Sequence, residues 1–345
     1  MLTAAILLSN GGAMSNSPST GFHYSVSTDP ESQWKIHELS YRDAKNPSRT
    51  VIARIVPAGG SNLISLEVDG TELLRVPPKI TEAAGMGFGI PILYPTPNRV
   101  RDSRFSFGGR TFQFKPNERS HFIHGLVNRA EWKADPPVVR SDGVSLRTHV
   151  EFDQNSPNFA LFPVLSRLAM TYTLAPDGIL MSFAVENRDR GPLPFGFGLH
   201  PYFRIVGDRS QTYVRVPAGR HMEAEGLLPT GKLDSLEGTG FDLRQPTSLE
   251  KLNLDDVYWG MVPAKPAGYE FRDRGIQVTL EASDLFTHAV VYTPQGRPYF
   301  CLENQTCSTD AHNLHAKGFE REAHLIVLKP GESAGGSVRI RVTKF

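Results

Sequence analysis

Apolar and polar residues alternate with a period of two along much of this chain. "SVRIRVTKF" puts Val338, Ile340 and Val342 on one side and Arg339, Arg341 and Thr343 on the other, the pattern of a strand with one buried and one wet face. "LAMTYTLAPDGILMSFAVEN" reads as two strands joined around Pro176-Asp177-Gly178, because proline fixes φ and glycine accepts positive φ where a chain reverses. The same turn chemistry at Lys329-Pro330-Gly331-Glu332 predicts a strand pair across "LIVLKPGESAGGSVRIRV". Asp69-Gly70 marks a turn within "VIARIVPAGGSNLISLEVDGTELLRV", which carries two or three further strands. "THAVVYTPQGRPYFCLENQ" predicts a hairpin with strands over 287–293 and 299–305, turning around Gln295-Gly296. Helical periodicity is scarce, and residues 246–253 predict one short helical turn. Many short strands with regular turn signals predict an all-β fold, a large antiparallel β-sandwich. Function is expected on the long loops at the ends of its sheets.

Composition narrows the class. Of 345 residues, 39% are hydrophobic, enough for one large core, and all-β domains commonly reach roughly 200–250 residues. Residues 31–345 are expected to form a single domain. Residues 1–30, rich in Ser, Thr, Gly and Asn, are expected to be a mobile extension. "MLTAAILLSNGGAMS" has a short apolar run but lacks the basic residues of an export signal, and Met14 offers a later start. With 37 basic and 36 acidic residues the formal net charge is +1, which points away from nucleic acid and anionic membranes as partners. No apolar stretch approaches the ~18 residues of a membrane span. Cys301 and Cys307 make no disulfide framework and are expected as free thiols in a reducing compartment, the cytoplasm. No phosphate-binding loop or dinucleotide fingerprint is present. "GMGFG" at 85–89 is too short to be one.

Several polar residues sit where chemistry is plausible, each beside a plainer alternative. Asn98 and Arg99 follow a proline-punctuated turn in "GIPILYPTPNRVRDSRFSFGGRTF". The guanidinium offers five donors in a planar fork and suits carboxylates or polyhydroxyl ligands, while the pair also fits an ordinary surface loop. His121 and His124 in "HFIHGLVNRAEW" have a spacing that suits a metal on a helix. Gly125 and the surrounding pattern predict a strand end instead, where the two rings point to opposite faces. One structural and one functional histidine is the expectation, with no metal. His200 precedes Pro201 inside the aromatic run "LPFGFGLHPYFRI". It is either a satisfied core residue or an acid–base group at a pocket wall where the strand stops. Asp255 and Asp256 in "LDDVYWGM" face opposite ways on an extended chain, beside Tyr258 and Trp259, a combination seen at sugar sites and in ordinary cores alike. Glu303 falls at the end of the second hairpin strand. Half-buried there, it would have the raised pKa of a neutral-pH general base, and the alternative is a strand-end salt bridge.

Together, "IPILYPTPNRV", "FIHGLVNRAEW", "GFGLHPYF", "LDDVYWG" and "YFCLENQTCSTDA" resemble the aldose 1-epimerases, the galactose mutarotase family, in order and rough spacing from about residue 33 to the C-terminus. The resemblance implies a galactose mutarotase-like supersandwich with an open sugar-binding cleft. It implies a small-molecule aldose as partner, no cofactor, and a monomer or homodimer. Carried over by position, Glu303 matches the base that takes the proton of the anomeric hydroxyl. His200 matches the acid that protonates the ring oxygen, and His124 a second histidine near that oxygen. Arg99, with Asn98 beside it, and Asp255 match residues that hold sugar hydroxyls, and Gln305 matches a glutamine two positions past the base. The chain departs from the better-known mutarotases after the base, where Cys307, Ser308 and Thr309 precede Asp310 with one extra residue. That form looks more like a less characterised bacterial branch and leaves the sugar open. A hexose-6-phosphate 1-epimerase would draw Arg101, Arg104 and Arg110 together, although the alternation of "RFSFGGRTF" reads as a solvated face. A glycoside hydrolase built on Asp255 and Glu303 and a non-catalytic sugar-binding module of the same fold complete the alternatives.

Overall fold

The alternating segments pair as antiparallel strands throughout the computed structural model, which describes residues 21–345. Phe22–Thr28, Lys35–Arg42, Thr50–Val56, Asn62–Val68 and Thr71–Glu72 form a five-stranded meander. A ten-stranded sheet is centred on Ser166–Ala175, Gly178–Asn187, Ser333–Lys344 and Ile276–Ala282. An eight-stranded sheet runs Leu228–Asp234, Arg220–Glu225, Asp255–Trp259, His288–Tyr292, Tyr299–Gln305, Gly198–Leu199 and Ile92–Leu93, with Tyr202–Arg204 also paired to Tyr299–Gln305.

The period-two pattern decides which face is buried. Leu168, Met170, Tyr172 and Leu174 alternate inward, as do Ile179, Met181, Phe183 and Val185 on the next strand and Val338, Ile340 and Val342 on the one after. The two large sheets meet through aromatic contacts. Phe203 and Phe300 of the eight-stranded sheet lie 4.7 and 5.1 Å from Tyr269 of the ten-stranded one, and Phe183 stacks on Phe197 at 4.0 Å. Burying side chains of this size contributes about 1.5–3 kcal/mol each. One hydrophobic cluster takes in residues from Phe22 to Val342.

The hairpins expected around Pro176–Gly178 and Gln295–Gly296 form where the turns predict them. Ser166–Ala175 pairs with Gly178–Asn187, and His288–Tyr292 with Tyr299–Gln305 in a register that sets Val290 opposite Glu303. The helical turn expected at 246–253 is a 3-10 turn over Leu249–Lys251, started by Ser248 Oγ accepting from the Glu250 N–H. The turn at Lys329–Glu332 forms, but its flanking strands do not pair. Ile326–Leu328 joins Leu193–Phe195, while Ser333–Lys344 inserts between Gly178–Asn187 and Ile276–Ala282. A three-residue strand cannot satisfy a twelve-residue partner. Asn187 ties off the junction instead, its side chain donating to the Leu328 carbonyl and its carbonyl accepting from Gly331.

The expected extension over residues 1–30 falls mostly on residues 1–20, which lie outside the described residues. Within the remainder, Phe22–Thr28 is a strand paired to Lys35–Arg42, with Phe22 buried 4.7 Å from Tyr41. Its polar composition hid the pairing. Two short helices, Ala311–Ala316 and Glu320–Ala323, were not anticipated, since neither is long enough to show a period. Leu314 and Ala323 are instead pinned against Met222 and Cys307. No helix among the described residues is long and apolar enough to cross a membrane.

Gly178 has φ +146° and a Cβ there would lie 1.9 Å from the Ile340 carbonyl oxygen. Gly70 has φ +77° with nothing within 4 Å. Gly178→Ala is expected to cost about 2–3 kcal/mol in urea denaturation, and Gly70→Ala about 1–2 kcal/mol, the backbone term alone. Equal losses would contradict the clash.

Candidate active site

The strand Tyr299–Gln305 presents two faces. Phe300 and Leu302 belong to the hydrophobic core, so Cys301, Glu303 and Gln305 lie on the opposite face. The register extends that face across its neighbours. Val290 is opposite Glu303, Tyr292 opposite Cys301, Asp255 opposite Tyr292, and Tyr202 opposite Cys301 on the other side. Asp255, Tyr292 and Tyr202 therefore share one sheet face with Glu303. His200 arrives at the break between Gly198–Leu199 and Tyr202–Arg204, where Pro201 ends the ladder.

The other wall is a pair of loops held in unusual backbone geometry. Asn98, His124 and Gly125 have φ of +56°, +70° and +69°. Non-glycine residues with positive φ persist only where surroundings over-determine them. Here the His124 N–H donates to the Asn98 carbonyl and Asn128 Nδ2 to the His124 carbonyl. Gly125 fits because a Cβ would lie 2.3 Å from the Tyr94 carbonyl oxygen. From the far side, Asp310 clasps the same loop. Its N–H donates to the Arg99 carbonyl, and its Oδ1 accepts from the Arg101 N–H at 2.9 Å and Asn313 Nδ2 at 2.7 Å.

At the centre, His200 Nε2 stands 3.0 Å from Glu303 Oε1, and Gln305 Nε2 donates to Glu303 Oε2 at 2.8 Å. Glu303 is 2% exposed and His200 5%. The His200 ring stacks on Tyr202 at 4.6 Å and meets His124 edge-on at 5.0 Å. The Nδ1 atoms of His124 and His200 have no hydrogen-bond partner among the described residues. Arg99 spans the rim, with Nη1 donating to Asn98 Oδ1, Nε 3.4 Å from Glu118 Oε2 and Nη2 3.6 Å from Asp255 Oδ2. Together these side chains enclose a cavity of about 230 Å³.

Burial sets the electrostatics. It pushes the Glu303 carboxyl well above the usual carboxylate range, with Asp255 adding to the rise and the Gln305 hydrogen bond and Arg99 opposing it. It depresses His200 to about 3. His124 is held well below the ordinary imidazole value by burial first, then by the charges of His200 and Arg99. Burial also raises Asp255, against the pull of Arg99. Glu303 and His200 thus stand 3.0 Å apart, with the carboxyl's hold on a proton strengthened and the imidazole's weakened by burial.

Six of the seven residues expected at the site from sequence line this cavity: Asn98, Arg99, His124, His200, Asp255 and Glu303. Gln305 is fully buried and reaches the Glu303 carboxylate rather than the cavity. His121 stands apart, its Nδ1 accepting from the Asp102 N–H. Asp256 turns away to His221 Nε2 at 2.9 Å, and Tyr258 is core, its hydroxyl donating to the Phe241 carbonyl. Sequence reasoning missed Tyr202, Tyr292 and Glu118. Tyr202 lies two residues past His200 and Tyr292 lies within the predicted hairpin, so the period of two already carried a signal. Glu118 carried none, because its partner Arg99 is met only through the fold. Among the described residues no three His, Cys, Asp or Glu are grouped to hold a metal ion.

Comparison with known proteins agrees with this architecture. The family described as Aldose 1-epimerase matches residues 48–341. The uncharacterized protein YphB of Escherichia coli K12 is 28% identical over 284 residues, 79% of this chain and 90% of that protein. Human galactose mutarotase is 27% identical over 167 residues, 47% of this chain and 46% of that protein, so the match spans less than half of its length. A galactose mutarotase-like protein from Clostridium acetobutylicum superposes with a TM-score of 0.82 at 20% identity, covering 94% of this chain and 99% of that one. Galactose 1-epimerase from Lactobacillus acidophilus NCFM superposes with a TM-score of 0.74 at 15% identity over the same shares. The fold is the mutarotase-like β-supersandwich.

Because its folded pKa is raised, Glu303 stabilises the fold fully below the unfolded value near ~4.3, and that contribution is lost as pH rises toward the folded value. Glu303→Gln removes the titration. By calorimetry the variant is expected to melt about 2–4 °C above wild type at pH 8, with the gap closing toward pH 4. A variant that melts below wild type at pH 8 would contradict the burial cost.

Proposed function

The chain belongs to the aldose 1-epimerase family, and from that premise we propose that it is a mutarotase, interconverting the α and β anomers of a hexose by opening and reclosing the pyranose ring. The observation that carries this reading is the buried Glu303–His200 contact at the cavity wall.

Ring opening removes a proton from the anomeric hydroxyl and delivers one to the ring oxygen. Glu303 as carboxylate takes the first, and His200 as imidazolium gives the second. The C1–O5 bond breaks, O1 becomes the aldehyde oxygen, and rotation about C1–C2 presents the other face. Closure runs the transfers backward. The pair holds one proton before and after, so no proton is exchanged with solvent. The burial that raises Glu303 and lowers His200 makes the carboxylate a stronger base and the imidazolium a stronger acid. To engage, the sugar replaces the 3.0 Å Glu303–His200 contact with two hydrogen bonds of its own, one from O1–H to Glu303 and one from His200 to O5.

The remaining side chains orient the ring. His124, kept neutral, donates to a sugar oxygen without adding charge near His200. Arg99, Asn98 and Asp255 hold hydroxyls at the far side, and Gln305 fixes the Glu303 carboxylate from behind. An uncharged hexose fits better than a phosphorylated one. Arg101 pairs with Asp310 at 3.5 Å, Arg110 donates to the Pro163 carbonyl, Arg104 is exposed, and none of the three lines the cavity.

Polarimetry on freshly dissolved α-D-glucose and α-D-galactose tests the proposal. Wild type is expected to speed the relaxation of rotation. Glu303→Gln and His200→Asn are each expected to lose about 10²- to 10⁴-fold in kcat/KM. Activity should be bell-shaped in pH, because the pair works with one proton. The depressed His200 puts the acid limb below the ordinary imidazole value, and the raised Glu303 puts the alkaline limb above the ordinary carboxylate value. No acceleration with either sugar sinks the reading.

A further inference from the structure

Arg99 is the one lysine or arginine lining the catalytic cavity among the described residues, and it meets two carboxylates. Its Nε lies 3.4 Å from Glu118 Oε2 and its Nη2 3.6 Å from Asp255 Oδ2, while Nη1 donates to Asn98 Oδ1 at 3.2 Å. Asp255 has a place in the ring-opening scheme, at the sugar hydroxyls. Glu118 has none. It does not line the cavity, yet it reaches the cavity's cation from outside.

Glu118 is built into this position. Its N–H donates to the His121 carbonyl at 3.0 Å and its carbonyl accepts from the His121 N–H at 2.9 Å, closing the turn between them. Asn117 cinches the same turn, its Oδ1 accepting from the Ile123 N–H at 2.8 Å and its Nδ2 donating to the Ile123 carbonyl at 3.1 Å. Ile123 in turn pairs with Arg99, where Phe122–Ile123 lies beside Arg99–Val100. The turn that carries the carboxylate is thus tied to the strand that carries the guanidinium. The Glu118 side chain is 29% exposed, so core packing does not call for a charge there.

The contact does two things. A guanidinium has five N–H donors. With Nε on Glu118, and one hydrogen each of Nη1 and Nη2 directed to Asn98 and Asp255, a donor is left on each terminal nitrogen for sugar hydroxyls. The second effect is charge. Two carboxylates against one guanidinium leave the rim with an excess negative charge. Burial raises the Asp255 carboxyl first, and the Glu118 charge adds to that rise, so the two acids feel one another. The histidines of the cavity do not offset the excess, because burial holds His124 and His200 below the ordinary imidazole value. The chain as a whole carries a formal net charge of +1, so no strong global field masks the local one. A cavity of about 230 Å³ keeps any charged group of a bound sugar within roughly one Debye length of that rim, about 8 Å at physiological salt. We propose that Glu118 is a specificity-determining residue: by holding Arg99 and leaving the rim one negative charge in excess, it admits uncharged aldoses and turns away those that carry a carboxylate or phosphate. This rests on the reading that Glu303 and His200 open a pyranose ring.

Uronic acids supply the probe, because α-D-galacturonate differs from α-D-galactose only in its carboxylate at C6, and D-glucuronate from D-glucose likewise. Polarimetry gives kcat/KM for each pair, read as the ratio of uronate to neutral parent. Wild type is expected to show a ratio of about one-tenth or less. Glu118→Gln keeps an acceptor for Arg99 and removes the charge, and is expected to raise the ratio about tenfold. Raising salt from about 10 mM to about 1 M shortens the Debye length from roughly 30 to roughly 3 Å. The wild-type ratio should therefore climb with salt, and the variant's should stay level. A wild-type ratio near or above one, a wild-type ratio indifferent to salt, or a variant that leaves the ratio unchanged overturns the role of Glu118 alone. Absence of acceleration on both galactose and glucose overturns the mutarotase reading together with it.

Discussion

The Glu303–His200 contact, 3.0 Å between Nε2 and Oε1, is the one around which the site is arranged. Burying a carboxyl and an imidazole opposes folding unless each has a partner. Here the His200 imidazole lies 3.0 Å from one carboxylate oxygen, and Gln305 supplies the second with a donor. What the site needs chemically, a base that wants its proton and an acid that is reluctant to keep one, is what burial produces. The surrounding sheet holds that arrangement in place: Phe300 and Leu302 pack into the core on one face while Glu303 stands on the other.

The opposite wall depends on a different device. Asn98, His124 and Asp310 all adopt positive φ, and they are tied by backbone hydrogen bonds, from His124 to Asn98 and from Asp310 to Arg99. The strain is distributed over loops that many other contacts hold still. Arg99 is thereby fixed among Asn98, Glu118 and Asp255 before any ligand arrives, so little ordering remains to be done on binding.

Much of this was legible from residue order. Alternation at 166–187 and 288–305 predicts hairpins that form with the turns where Pro, Asp and Gly place them. The resemblance to the family named six of the residues that line the cavity. What stayed hidden depends on partners distant in sequence. Nothing local to Lys329–Glu332 says that its two strands part company, because the deciding fact is the length of the partners each finds. Glu118 has no local signature, and Gln305 reads as a ligand contact until the register shows it behind Glu303. Phe22–Thr28 looks like a polar tail because an edge strand over a meander needs few apolar residues to pair.

The position of Ser333–Lys344 has a consequence for biogenesis. Among the described residues this strand follows all the others in sequence, yet it lies in the interior of the ten-stranded sheet, between Gly178–Asn187 and Ile276–Ala282. Until it emerges from the ribosome the sheet is two unjoined halves, each showing a long unpaired edge. At roughly 5–20 residues per second, the edge at Gly178–Asn187 waits on the order of 10–30 s during translation. That interval is an opening for misassembly between unpaired edges, until Ser333–Lys344 joins them.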